Sequence, residues 1–138
     1  VPGITALTGC ASLLGAPLMH DFACISLSDL MTNIATIRQR LRMAAKADFV
    51  IVLYNPQSLK RTAPLRDAQK ILMKYRRPKT PVGIVRNASR AGESATITTL
   101  KDMLGAAKID MATTIIVGNS KTYVKGRFMI TPRGYNTR

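Results

Sequence analysis

The 138-residue chain predicts an α/β fold, an αβα sandwich around a mixed, mainly parallel sheet, and three observations carry that expectation. The runs Phe49 to Leu53, Pro81 to Val85 and Thr113 to Val117 are short and almost continuously apolar, as in strands covered on both faces. Between and around them, apolar residues recur at helical spacing: Ile34, Ile37, Leu41 and Ala45, then Leu65, Ala68, Leu72 and Tyr75. The intervening connections are long enough to be crossovers joining parallel strands.

The chain opens on a turn, Val1-Pro2-Gly3, and Ile4, Leu7, Ala11 and Leu14 mark a first helix with Thr5 near its start. A corner at Ala16-Pro17 leads into a strand from Phe22 to Leu27, and Thr32 stands where the next helix would be capped. The strand 49–53 breaks at Tyr54-Asn55-Pro56, and Pro64 fits the first turn of the following helix. A loop, RRPKTP, precedes the strand 81–85, which gives way at once to Arg86-Asn87-Ala88-Ser89-Arg90. Residues 95–98 read as a short strand, and Thr99 with Asp102 has capping-box spacing for a helix through Met103 and Leu104. The strand 113–117 ends in Gly118-Asn119-Ser120, and a last strand near Phe128 to Ile130 runs into a basic tail.

A hydrophobic share of 46% and a charged share of 20% are globular values, and the length suits one domain, residues 1–138. No uninterrupted apolar run approaches the ~18 residues of a membrane span, so no membrane partner is expected. With no secretory pattern at the start, the default setting is cytoplasmic. Cys10 and Cys24 have no metal or redox spacing and read as plain buried thiols. The net charge is +14, and all 21 basic residues lie between Arg38 and Arg138, so a polyanionic partner is expected on the later surface.

Three strands end in small polar residues that include an asparagine: Asn55, Asn87 and Asn119. In parallel strands these ends share one edge, where open α/β sheets bind ligands. Asparagine also tolerates left-handed turns, which accounts for the same pattern without a ligand. His20, the single histidine, sits beside Asp21 in the stretch Gly15 to Leu30, a candidate for proton transfer at a cleft or simply a satisfied corner residue. There is no Walker loop, nucleophile elbow or His/Cys ligand cluster, and no metal site is expected. Chemistry carried by a bound cofactor fits this inventory better.

Several segments together resemble the carboxyl-terminal half of tetrapyrrole (corrin) methyltransferases, and most closely the branch acting at C-17 of precorrin-3B. They are VPGITA from Val1, GAPLMHDFACISLSDL from Gly15, ADFVIVLYNPQS from Ala47, TPVGIVRNASRAGE from Thr80, ITTL from Ile97, TTIIVGNS from Thr113 and ITPRGY from Ile130. The resemblance implies a two-domain enzyme that methylates a precorrin, or its cobalt form, from S-adenosylmethionine with ring contraction in cobalamin synthesis. It places cofactor contacts at Thr5, Ala6, Asn55 and Ala88, with Asn119 added from strand-end geometry. The amino-terminal domain of that family has no counterpart here, so the chain reads as half an enzyme, inactive alone. A carboxylate-rich macrocycle gives Arg86, Arg90, Lys60 and Arg61 a use as substrate-binding cations, and His20 and Asp21 one as catalytic groups. Self-association, as a homodimer, is expected through an apolar patch of Leu13, Leu14, Leu18 and Phe22. The alternatives are a basic module for nucleic acid, disfavoured by an aromatic share of 5%, and a ligand-free dimerising domain.

Overall fold

A computed structural model describes residues 2–134; Val1 and the end of the basic tail, 135–138, lie outside the described residues. The elements in order are α1 (Ala6–Leu14), β1 (Gly15–Ala16), β2 (Phe22–Ser26), α2 (Ile34–Lys46), β3 (Val50–Tyr54), α3 (Ala63–Leu72), β4 (Pro81–Arg86), β5 (Ser94–Thr99), β6 (Thr113–Val117), β7 (Tyr123–Lys125) and β8 (Phe128–Ile130).

The α/β class and a mixed sheet are as expected, but the pairing is not mainly parallel. The main sheet has the order β2-β3-β6-β4-β5, and only β2 with β3 pairs in parallel. β6 lies between β3 and β4 and runs against both, and β5 folds back on β4 as a hairpin. The reason is the return path. β5 carries the chain back to the edge where β4 began, and residues 100–112 then cross to the other edge before β6 starts.

Strand alternation divides the core into two layers. Ile51, Leu53, Val82, Ile84, Ile115 and Val117 face α2 and α3 and meet Ile37, Leu41, Leu65, Ala68 and Leu72. Val50, Val52, Val85 and Ile116 face the other way, toward Cys10, Ala11 and Leu14 of α1 and Met129 of β8. Gly83 lets α1 approach this closely, since a Cβ there would stand 2.2 Å from Leu14 Cδ1.

Local chemistry explains the shifts in boundaries. α2 is capped by Asn33 rather than Thr32, its Oδ1 accepting from the Ala35 N–H at 2.8 Å. Thr99 and Asp102 do make the capping contact, with Thr99 Oγ1 donating at 2.6 Å, yet only turns follow through Gly105. The Ala16 corner is a short strand that pairs in parallel with β8, in a second sheet of order β1-β8-β7. Its β7 strand, absent from the sequence expectation, turns through Gly126 at φ 59°.

Candidate functional site

Because β3 and β4 both run against β6, they point the same way, and Asn55 and Asn87 leave the sheet at one edge. There a cleft of about 760 Å³ opens between the start of α1, these two strand ends and the start of β6. Thr5, Ala6, Asn55, Ala88 and Arg90 all line it. Both asparagines are left-handed, at φ 50° and 52°, so turn geometry and position at the cleft hold together rather than competing. Asn55 Nδ2 donates to Ser26 Oγ at 3.0 Å, and the Asn87 N–H donates to the Ala112 carbonyl at 3.0 Å, which ties each loop to a neighbour. Ser89, also left-handed, donates its N–H to Glu93 Oε2 at 2.6 Å.

The remaining expected site residues are not gathered there. β6 is reversed, so Asn119 lies at the opposite edge, and its buried Oδ1 accepts from the Lys121 and Thr122 N–H groups at 2.9 and 3.1 Å. It closes a turn and does not face the cleft. His20 and Asp21 precede β2 and therefore also stand at that far edge, exposed, with His20 Nδ1 accepting from the Asp21 N–H at 2.8 Å. Neither lines the cleft at the opposite edge. Cys24, expected to be buried, is exposed because β2 is an edge strand that α1 does not cover. The expected apolar patch is also revised: Leu14 is 1% exposed and belongs to the core, while Phe22 is 43% and Leu13 37% exposed.

Two of the expected substrate cations are already engaged. Arg86 Nε donates to Asp110 Oδ2 at 2.7 Å. Burial pushes the Asp110 carboxyl up, but bonds from Arg86 and the Ala112 N–H outweigh it and hold the group below its ordinary value. Arg61 donates to the carbonyls of Leu27 at 2.6 Å and Asn55 at 3.2 Å, locking the ends of β2 and β3 together. Lys60 lines a smaller depression beside the Arg38–Asp67 ion pair. Arg90 alone of the four faces the cleft.

Sequence reasoning missed several residues here. Tyr54 lines the cleft, and its hydroxyl accepts from the Leu7 N–H at 2.7 Å. Thr113, Thr114 and Met111 join the wall because β6 begins, rather than ends, at this edge. Cys10 lines it too, and burial pushes its thiol up, so it stays protonated near neutrality. A polar hydroxyl at the end of the otherwise apolar VIVLY was the available signal for Tyr54. Far from the cleft, Arg76 is a buried clamp, donating to Ala45 O at 2.6 Å and Phe49 O at 2.9 Å and standing 3.2 Å from Asp48 Oδ1.

Small side chains (Ala6, Gly9, Ala88, Ala112), several hydroxyls and no carboxylate line the cleft, which has the size of a small-molecule pocket. Among the described residues no group of three or more His, Cys, Asp or Glu could hold a metal ion. Fold and cleft together define an α/β unit with a cleft of small-molecule size at its strand ends. The sequence profile of the tetrapyrrole (corrin/porphyrin) methylases matches residues 1–104, and the chain belongs to that family.

It is 53% identical over its full length to a cobalt-factor III methyltransferase of Priestia megaterium, of which it covers 25%. It is 40% identical over 97% of its length to a precorrin-3B C(17)-methyltransferase of Sinorhizobium, of which it covers 54%. Among solved structures it superposes on the methyltransferase CobJ with a TM-score of 0.86 and 34% identity, covering 95% of this chain and 54% of the other. The chain thus spans about half the length of that structure and a quarter to a half of these relatives.

Proposed function

We propose that the cleft is one wall of a S-adenosylmethionine site, and that the chain serves methyl transfer to C-17 of precorrin-3B or its cobalt form, with ring contraction, in cobalamin synthesis. The observation that carries this reading is the convergence of Thr5, Ala6, Asn55 and Ala88 on one cleft in a member of the tetrapyrrole methylase family. The cleft suits the cofactor: small residues leave room, Thr5, Thr8 and Ser12 offer hydroxyls, and no acidic side chain is present to hold a sulfonium as a static ion pair. When bound, the cofactor supplies an electrophilic methyl group.

The chain's own part is to bind and align. Ala88 and Ala6 set the width of the cleft, Asn55 and Asn87 fix the loops, and holding the reactants at near-attack distance contributes rate without any nucleophilic side chain. Arg90 is the cation at the cleft able to pair with a carboxylate of the macrocycle. The further length present in the relatives supplies the opposite wall on this reading, so the chain by itself binds the cofactor weakly and turns over no precorrin. The setting is cytoplasmic, and among the described residues no helix is long and apolar enough to cross a membrane. Self-association through exposed Leu13 and Phe22 belongs to the same proposal, and sedimentation velocity of the chain reads it directly. The nucleic-acid and ligand-free alternatives are disfavoured by the family membership.

Calorimetric titration with S-adenosylhomocysteine tests the reading, using both the chain and a form that carries the relatives' additional length. Saturable binding that is tighter in the longer form, with methyl transfer to the precorrin in that form only, is expected. Absence of binding in both forms would overturn the assignment.

A further inference from the structure

A helix start leaves several backbone N–H groups without partners, and a threonine at the N-cap position ordinarily supplies its own side chain to one of them. At α1 this does not happen. Thr5 has the extended backbone of an N-cap, φ −67° and ψ 145°, but its side chain makes no capping bond. Its Oγ1 lies 3.1 Å from Thr8 Oγ1 instead, on the exposed side. The N–H of Leu7 is satisfied from elsewhere in the chain by the Tyr54 hydroxyl at 2.7 Å.

We infer that Tyr54 is a positioning residue for the cofactor site, acting as a cap supplied in place of Thr5. The hydroxyl spans from the end of β3 to the first turn of α1, which are the two segments that place Asn55 and Thr5-Ala6 at the cleft. One bond thereby fixes the spacing between two sets of ligand contacts before any ligand arrives. It also leaves the Thr5 hydroxyl free of backbone duty and available on the cleft wall. The ring packs against the α1-side core and cannot swing away without unpacking, so the bond is held from both ends.

This inference rests on the proposed cofactor reading and is tested with Tyr54→Phe, which keeps the ring and removes only the hydroxyl. Ile71→Val, a cavity variant in the α2/α3 layer, serves as the stability control. S-adenosylhomocysteine affinity is measured by calorimetry well below the melting temperature of every variant, and exchange of the Leu7 amide proton by NMR. Tyr54→Phe is expected to weaken binding about tenfold and to speed Leu7 exchange by a similar factor, while Ile71→Val leaves both unchanged. Equal affinity of wild type and Tyr54→Phe would overturn the inference alone, as would an equal loss in both variants. No binding by the wild-type protein in either form would remove the cofactor reading and this inference with it.

Discussion

The two edges of the main sheet carry the same residue type after a strand and use it for different ends. At the cleft edge, Asn55 and Asn87 stand left-handed, the amide of Asn55 tied to Ser26 at the end of β2 and that of Asn87 to Ala91 within its own loop, leaving a concave surface of small residues between them. At the far edge, Asn119 is buried with its Oδ1 taken up by the 121–122 backbone, and Asp48 accepts from the Ser120 N–H at 2.9 Å. Asn119 and Asp48 at the far edge are spent on closing the fold. Those at the cleft edge shape a surface and leave it open. An asparagine after a strand therefore says nothing about ligand binding until the direction of the strand is known.

The contrast can be broken most forcefully at Arg76, which anchors the far-edge region by bonds to carbonyls of the α2–β3 connection. Arg76→Met is expected to cost about 3 kcal/mol in urea unfolding, because buried carbonyls lose a charged donor, while binding at the cleft persists in the folded fraction. Next comes Ala88→Trp, which fills the cleft: affinity for S-adenosylhomocysteine should fall at least about a hundredfold by calorimetry, whereas Lys121→Trp on the far edge leaves it unchanged. Asn119→Ala and Asn55→Ala sharpen the comparison directly. The former is expected to lower stability by about 2 kcal/mol with unchanged affinity, the latter by about 1 kcal/mol with affinity reduced about tenfold, read by paired unfolding and titration.

The smallest effect is one of pH at the Arg86–Asp110 pair, just before the start of β6. Asp110 has a folded pKa below its unfolded value of ~3.9, so its contribution to stability is fully present above that value and is lost as pH falls through the lower folded one. Asp110→Asn should flatten the acid limb of a plot of urea midpoint against pH and leave the neutral region level. An unchanged acid limb would show that Arg86 and Asp110 do not act as a pair.

Much of this was legible in the sequence, for physical reasons that also mark the limits. The buried strands β3, β4 and β6 announced themselves because a strand covered on both faces must be apolar throughout. Asn55 and Ala88 could be placed at strand ends from the pattern alone, whereas grouping Thr5 and Ala6 with them rested on the family resemblance. Strand direction was not legible. Nothing local in TTIIV distinguishes a strand running with β3 from one running against it, and the reversal follows from the β4–β5 hairpin, the return crossing of residues 100–112 and the insertion of β6 between β3 and β4, a long-range choice. The displacement of Asn119 from the cleft, and the arrival of Thr113 and Thr114 in it, are both consequences of that one reversal. The clamping arginines were illegible for a related reason. Arg61 and Arg76 look like surface charge in a chain of +14, and only tertiary packing turns them inward onto carbonyls. His20 and Asp21 drew attention by rarity, which carries no information about place.

The parallel bridge between β1 and β8 pairs Gly15 with Met129 and Ala16 with Ile130, two segments far apart in sequence. Contacts so distant in sequence form late, since a long loop must close before they yield anything. During synthesis on the ribosome, α1 and its corner emerge well ahead of β8 and acquire that partner only when it has been made. The α2/α3 layer can assemble meanwhile, whereas Leu14, Val50 and Val52 wait for Met129 to complete their cover. A nascent chain that stalls before Phe128 would thus present a formed helical layer and an unfinished opposite face, making that face the segment most dependent on chaperones and most open to quality-control proteases.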